Sequence, residues 1–265
     1  MSLPLVRGPV SAPGAESLAG RVVLVVGATG GLGSAVARAV AGAGATVVLA
    51  GHRVRKLEKL YDELEAMDAP QPAIMPLNLE KATPAQYEEV AATIEREFGH
   101  LDGLVHGAAY FDALTPLDHH RPDEWLRTLQ VNLSAPFALT QACQPLLAAS
   151  ADSAVVFVTD DPRELDTAHW GAYGVAKAGL ERLASILHDE NDAGAMRVHA
   201  LLPGPMRTTL RRKAWFAENP NSNPLPDAAA QAVVHLLSAA GAAWRGKTLD
   251  LRPASPAQLP PLRPL

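Results

Sequence analysis

The sequence has little cysteine and no long apolar run. Cys143 is the one cysteine among 265 residues, so the chain cannot form an intramolecular disulfide, and this composition fits a reducing compartment. No apolar stretch approaches the roughly 20 residues that a membrane-spanning helix needs. The N-terminal segment has two early prolines and no apolar core, which disfavours a secretory signal peptide. We therefore predict a cytoplasmic protein.

The chain also has no excess of positive charge. Its 23 lysines and arginines are outnumbered by 28 aspartates and glutamates, which leaves a formal net charge of −5 at pH 7. Such a chain has no long-range attraction for nucleic acid or acidic membranes, so we expect neither as a partner. The nine histidines show no metal-ligand spacing, and no serine stands in a nucleophile elbow. We therefore expect no metal site and no hydrolase.

What the sequence does contain is a strand, a glycine turn and a helix within Arg21–Ala41. Val22–Val26 is an apolar run suited to a strand buried on both faces, and apolar residues follow Gly33 at helical spacing. A helix that begins at a glycine turn directs free N–H groups and the positive end of its dipole outward, and glycine lets a diphosphate approach. The stretch indicates a dinucleotide site, although such a turn can also serve packing alone.

Strands and helices alternate along the rest of the chain. We predict further strands at 45–50, 73–78, 101–106, 154–159, 196–202 and 248–251. We predict helices after the glycine turn and at 54–67, 85–98, 122–147, 171–191 and 227–239. This alternation predicts an α/β fold, a single doubly wound Rossmann-type domain with a parallel sheet of about seven strands.

We place this domain at residues 19–253. Residues 1–18 are rich in Pro, Gly and Ser and are expected to form a flexible tail, and residues 254–265 a proline-rich C-terminal tail. Residues 205–226 depart from the strand–helix rhythm, and we expect them to act as a substrate lid.

Two motifs together resemble the short-chain dehydrogenase/reductase family. Gly27, Gly31 and Gly33 form G-x-x-x-G-x-G, and Tyr173 and Lys177 form Y-x-x-x-K about 150 residues later. The resemblance covers about residues 19–253 and is strongest to a bacterial oxidoreductase subgroup with similar residues at 170–173. It implies hydride transfer between NAD(P) and a small-molecule carbonyl or alcohol.

Three residues match the catalytic positions of that family. Tyr173 and Lys177 share one face of a helix, where an ammonium group would lower the pKa of the phenol. By resemblance, Tyr173 is the proton donor and Lys177 also binds the nicotinamide ribose. Pro136 has no N–H, so the Asn132 carbonyl loses its helical partner, and the resemblance implies that it holds a water. The alternative for Tyr173 and Lys177 is a chance pair on an amphipathic helix. The alternative for Asn132 is a simple proline kink.

The fourth catalytic position departs from the family. Its tyrosine-dependent members have a serine thirteen residues before the tyrosine, and this chain has Asp160 there. An ionised aspartate only accepts hydrogen bonds, and its charge would raise the pKa of Tyr173. Either Asp160 retunes the site for a particular substrate, or the protein binds the dinucleotide without catalysis, as a sensor or partner subunit.

The resemblance also implies a set of cofactor-binding residues. They are Gly27, Thr29, Gly30, Gly31, Leu32, Gly33, His52, Arg53, Asn78, Leu79, Gly107, Ala108, Ala109, Tyr173, Lys177, Pro203, Gly204, Met206 and Thr208. An NAD enzyme ends its second strand with an acidic residue, whereas His52 and Arg53 stand there in this chain. A guanidinium grips phosphate well, so we predict NADP, with NAD as the alternative if Arg53 merely faces solvent.

The two predicted helices at 122–147 and 171–191 are rich in Ala and Leu around much of their circumference. One sheet face cannot cover that much apolar surface. Family members often pair these helices across a two-fold axis, so we expect a homodimer or homotetramer.

Overall fold

A computed structural model describes residues 2–7 and 14–252 of the chain. The strands of its single parallel sheet are β1 Leu5–Val6, β2 Val22–Val26, β3 Thr46–Gly51, β4 Ala73–Pro76, β5 Gly103–His106, β6 Ala154–Val158, β7 Arg197–Leu202 and β8 Thr248–Asp250. The α-helices are α1 Gly31–Gly42, α2 Val54–Glu65, α3 Pro84–Phe98, α4 Pro122–Leu129, α5 Ala135–Ala149, α6 Pro162–Leu165, α7 Gly171–Glu190, α8 Thr209–Ala214 and α9 Asp227–Leu237. No helix in this part of the chain is long and apolar enough to cross a membrane.

Alternate residues of the buried strands face two separate hydrophobic cores. In β2, Val23 and Val25 pack with α1, α2 and α9, whereas Leu24 and Val26 pack with α3, α5 and α7. This two-sided burial explains why the strand sequences are continuous apolar runs. The structure confirms the predicted doubly wound α/β fold.

The order of the strands places a crevice at the carboxyl ends of β2 and β5. The sheet runs β1-β8-β7-β6-β5-β2-β3-β4, so the chain proceeds in one direction from β2 to β4 and in the other from β5 to β8. Ligands of open α/β sheets bind at such a switch point. The glycine turn follows β2 directly and therefore lies there.

The N-terminal segment differs from its prediction. Leu5 and Val6 pair with Thr248 and Leu249 as an eighth strand, so the prediction of a flexible tail over 1–18 is wrong for these residues. The reason is the edge of β8, whose backbone groups need partners; the Thr248 N–H donates to the Pro4 carbonyl at 2.9 Å. The predicted tail at 254–265 lies outside the described residues.

The predicted helix over 122–147 is not continuous. A π-helical turn, Gln130–Ser134, separates α4 from α5. Pro136 follows this turn and cannot donate a backbone hydrogen bond, which explains why regular α-helical bonding is interrupted here. Single-turn π segments of this kind occur frequently at functional sites.

Candidate active site

The glycine turn after β2 is built from backbone that leaves no room for side chains. Gly27 has a φ of +82°, and a Cβ there would lie 2.6 Å from the Ala108 backbone. A Cβ on Gly31 would lie 2.9 Å from the Thr208 side chain, and one on Gly33 would overlap the Gly27 carbonyl. The turn thus brings α1 against the segments that follow β5 and β7.

These segments surround a cavity of about 580 Å³. Its lining includes eighteen of the predicted cofactor residues, namely Gly27, Thr29, Gly30, Gly31, Leu32, His52, Arg53, Asn78, Leu79, Gly107, Ala108, Ala109, Tyr173, Lys177, Pro203, Gly204, Met206 and Thr208. Asp160 also lines it, whereas the described lining leaves out Gly33 and Asn132. Within the described residues no side chain caps the N-terminus of α1. Its backbone N–H groups and the open glycine turn therefore fit a dinucleotide diphosphate.

Tyr173 and Asp160 both line the cavity and are hydrogen-bonded to each other. The Tyr173 hydroxyl donates to Asp160 Oδ2 at 3.0 Å, and the Asp161 N–H donates to Asp160 Oδ1 at 2.9 Å. Burial raises the pKa of Tyr173 well above its usual value, and the Asp160 charge and hydrogen bond raise it further. The expectation that lysine lowers this pKa is wrong for the present arrangement, because burial and the carboxylate dominate.

Lys177 lies one turn of α7 beyond Tyr173 and is also buried. Its Nζ donates to the Val158 carbonyl at 2.8 Å, at the end of β6, and lies 5.7 Å from the centre of the Tyr173 ring. Burial lowers the pKa of Lys177, while the Asp160 charge opposes that shift. The tyrosine, the lysine and the aspartate thus form one electrostatically coupled group.

Asn132 lies in the π-helical turn and holds the segment after β5. Its Nδ2 donates to the Tyr110 carbonyl at 2.7 Å and to the Thr128 carbonyl at 2.8 Å. Its Oδ1 accepts from the Tyr110 N–H at 3.0 Å. In this structure the Asn132 side chain is therefore a backbone clamp for a wall of the cavity.

The far end of the cavity carries positive charge. His52 and Arg53 follow β3, and Lys56 lies on the first turn of α2; all three are exposed and line the cavity. Lys56 is missing from the sequence prediction, although it lies only three residues after Arg53, the residue that precedes α2.

An aromatic wall lies beside Tyr173. Phe111 contacts the Tyr173 ring edge-on at 5.4 Å between centroids, and Trp215 packs on Trp170 at 4.9 Å. Phe111, Trp215 and Tyr110 line the cavity. The sequence prediction omitted all three. The one available signal was position, since loops after the carboxyl ends of parallel strands form such crevices.

Helix α8 lies within the predicted lid, 205–226, and contacts the opposite rim of the cavity. Lys213 Nζ donates to the Phe111 carbonyl at 2.9 Å and to Asp112 Oδ1 at 3.3 Å. Arg211 forms a two-bond pair with Glu218 at 2.8 and 3.0 Å and stacks over the Trp215 ring. These contacts hold α8 and Trp215 beside the segment that follows β5.

Asp161, next to Asp160, is anchored in an ion-pair network. Its carboxylate accepts from Arg163 at 2.8 Å and from Arg252 at 2.5 Å. Burial raises the pKa of Asp161, but these arginine hydrogen bonds outweigh it and the net shift is downward. Arg252 also binds Asp250, which in turn accepts from Arg7. The network fixes the backbone that carries Asp160.

The fold and this site define a Rossmann-type protein with a buried tyrosine and lysine facing the glycine turn. The sequence matches the family described as short chain dehydrogenase over residues 21–219. The chain belongs to that family and is an oxidoreductase by membership, as the two motifs predicted.

Several known proteins are similar along most of their length. The chain is 31% identical to the uncharacterized oxidoreductase YciK of Escherichia coli over 241 residues, 91% of this chain and 95% of that protein. A structure described as a short chain dehydrogenase of Pseudomonas syringae is 39% identical, with a TM-score of 0.85 and coverage of 90% and 97%. Another, from Escherichia coli CFT073 and complexed with NADPH, is 31% identical, with a TM-score of 0.87 and coverage of 91% and 100%.

Proposed function

We propose that the protein is an NADP(H)-dependent oxidoreductase that transfers hydride to or from a small-molecule substrate. This proposal rests on one observation. Tyr173, Lys177 and the glycine turn line the same cavity. Family membership makes a carbonyl or alcohol the first candidate for the reacting group, and Asp160 is the observation against it. The composition supports a cytoplasmic enzyme, with no nucleic acid or membrane as partner.

NADP(H) is favoured by the charges at the outer end of the cavity. Arg53 and Lys56 would hold a ribose phosphate, and Gly31 with the N-terminus of α1 would hold the diphosphate. The similar protein of Escherichia coli CFT073 binds NADPH, which supports the same choice here. When bound, the nicotinamide supplies or accepts the hydride.

The chain's own residues would position the substrate and handle its proton. Tyr173 is protonated at neutral pH because its pKa is raised, so its hydroxyl is a donor. Lys177 would bind the nicotinamide ribose and polarise the site, and Asn132 keeps the Tyr110 segment in place. Asp160 shares the hydroxyl proton of Tyr173 and so competes with any acceptor on the substrate.

A second candidate function, binding of the dinucleotide without catalysis, is favoured by the same Asp160. The carboxylate removes a donor from the place where the family has serine, and loss of one such donor typically costs about a hundredfold or more in rate. A sensor or partner subunit would keep the glycine turn and lose turnover.

Fluorescence titration with NADPH and NADH, followed by a substrate panel, tests both functions. We expect NADPH to bind more tightly than NADH and at least one substrate on the panel to be turned over. Tight NADPH binding without turnover of ketones, alcohols, imines or amines would favour the sensor. No binding of either dinucleotide would contradict both functions.

A further inference from the structure

Three positive side chains that line the cavity, apart from Lys177 and the cations beyond β3, are held by acidic partners. Lys213 contacts Asp112 at 3.3 Å, and Arg127, another lining residue, contacts Glu80 at 2.7 Å. Arg211 is held by Glu218 and by Glu164. A negatively charged substrate would have to displace these partners to gain an ion pair. These three side chains therefore offer little to an anion, and Lys177 is the remaining cation beside Tyr173.

Asp160 also lines the cavity, but across residues 2–7 and 14–252 it forms no ion pair with an arginine, lysine or histidine. The charge of Lys177 acts on Asp160, but its Nζ donates to the Val158 carbonyl and not to the carboxylate. A carboxylate has about four acceptor positions, and the Asp161 N–H and the Tyr173 hydroxyl use one on each oxygen. Both oxygens thus keep a free acceptor position next to the proton-bearing tyrosine.

We propose that the reacting bond of the substrate is a carbon–nitrogen double bond whose protonated nitrogen donates to Asp160. This inference rests on the proposed hydride transfer and narrows it to imines and the corresponding amines. The aromatic wall of Tyr110, Phe111 and Trp215, together with Tyr173, fits a planar, apolar body around the nitrogen. A cyclic imine fused to an aromatic ring is the simplest compound with these properties.

The charge changes of the two possible reactions distinguish imine from ketone. In the imine reaction the carbon gains a hydride from the reduced nicotinamide, which becomes oxidised. The nitrogen keeps its proton, and the π electrons become its lone pair, so the substrate goes from one positive charge to none. A ketone would instead develop negative charge on oxygen beside the Asp160 carboxylate, which disfavours it. The same carboxylate raises the pKa of a bound imine and keeps it in its protonated, electrophilic form.

The first test measures binding rather than turnover. Isothermal titration calorimetry of the NADPH-loaded protein compares tetrahydroisoquinoline, a protonated amine, with isochroman, its neutral isostere. We expect the amine to bind at least about tenfold more tightly in the wild type, and Asp160→Asn to weaken it by about ten- to a hundredfold without changing isochroman binding. Equal binding of the two compounds by the wild type, or undiminished amine binding in Asp160→Asn, would overturn the proposal.

The second test measures oxidation of NADPH with dihydroisoquinoline, tetralone and aminoacetophenone as substrates. We expect the wild type to reduce the imine and to reduce tetralone at least about a hundredfold more slowly. Asp160→Ser should reverse this preference, because a hydroxyl can donate to a carbonyl oxygen. Turnover of the amino ketone without turnover of the imine would overturn the proposal, since the carbonyl would then be the reacting bond.

Asp166→Asn is the matched control, because Asp166 is an exposed acid six residues further along. It should keep the wild-type pattern in both tests.

The NADPH dissociation constant of each protein separates this inference from the function on which it rests. A wild type that binds NADPH but not the amine overturns the imine inference alone, whereas one that does not bind NADPH overturns the proposed function and the inference with it.

Discussion

At the scale of single residues, we propose that cofactor choice depends on the cations beyond β3. Arg53 and Lys56 line the cavity at the end where an acidic residue would mark an NAD enzyme. We expect Arg53→Ala to weaken NADPH binding by about ten- to a hundredfold and to leave NADH binding nearly unchanged, because only NADPH carries the extra phosphate. Fluorescence titration of both cofactors at low salt measures this.

Arg55→Ala is the matched control for that substitution. Arg55 is also exposed, lies two residues further along in α2 and is absent from the described lining of the cavity. It should keep the wild-type preference for NADPH over NADH. That result would show that the loss of one positive charge is not enough to change the preference. Equal weakening of NADPH and NADH by Arg53→Ala would contradict a phosphate contact and leave a general role in binding.

Some residues of the site were predictable from the sequence and others were not. The Y-x-x-x-K motif located Tyr173 and Lys177 on one helix face, and the family resemblance pointed to Asp160; the structure brings all three to one cavity. Spacing could not show that the Tyr173 hydroxyl donates to Asp160, which depends on burial and on side-chain rotamers. Tyr110, Phe111 and Trp215 carry no motif, since any apolar loop residue can serve as a wall.

At the scale of secondary-structure elements, the π-helical turn links Asn132 to the cavity wall. Asn132 satisfies both the N–H and the carbonyl of Tyr110. We expect Asn132→Ala to lower the free energy of unfolding by about 1–3 kcal/mol, because buried backbone groups would lose their partners. It should also weaken NADPH binding, since Ala108 and Ala109 precede Tyr110 in the lining. Chemical denaturation and NADPH titration measure the two effects.

Ser134→Ala, an exposed position in the same π-helical turn, is the control and should change neither quantity. An Asn132→Ala protein that is destabilised but binds NADPH as well as the wild type would contradict the link to the cavity.

The π-helical turn itself could not be predicted from the sequence. A proline four residues after Asn132 indicated a broken hydrogen bond, but α-helical kinks and π turns share that signal.

At the scale of the whole molecule, the ion-pair network ties the N-terminal strand to the sheet and to the active-site loop. Arg7 and Arg252 both donate to Asp250, whose side chain is fully buried. Burial raises the pKa of Asp250, but the hydrogen bonds from Arg252 and Arg7 outweigh it and bring the pKa to about 2. A lowered pKa means that Asp250 stabilises the fold above its unfolded-state pKa, about 4, and that this contribution is lost as the pH falls towards 2.

We therefore expect Asp250→Asn to lower the free energy of unfolding by about 2 kcal/mol at pH 7. The difference from the wild type should shrink between pH 4 and pH 2, because protonation removes the same charge from the wild type. Urea denaturation at several pH values measures it, and Asp189→Asn, an exposed position on α7, should show no such difference. A difference that persists unchanged at pH 2 would mean that lost packing, not charge, is responsible.

Large apolar side chains are exposed on the helices through which we expect copies of the chain to associate. Leu126 on α4, Phe137 on α5 and Val175 and Ile186 on α7 are each about half exposed or more. These helices pack together through the π-helical turn, and patches of this kind mark interfaces. We expect a homodimer or homotetramer at micromolar concentration. Phe137→Glu combined with Val175→Glu should shift the mass measured by light scattering to 27.9 kDa, that of one chain.

The control for this double substitution is Phe216→Glu in the lid segment. Phe216 is 83% exposed, more than Phe137 or Val175, so a glutamate there tests whether a charge on any exposed apolar side chain would disrupt the assembly. It should leave the mass of the assembly unchanged. A wild type of one-chain mass at micromolar concentration would contradict the assembly itself. An assembly that survives the double substitution but dissociates with Phe216→Glu would place the interface at residues 205–226 instead.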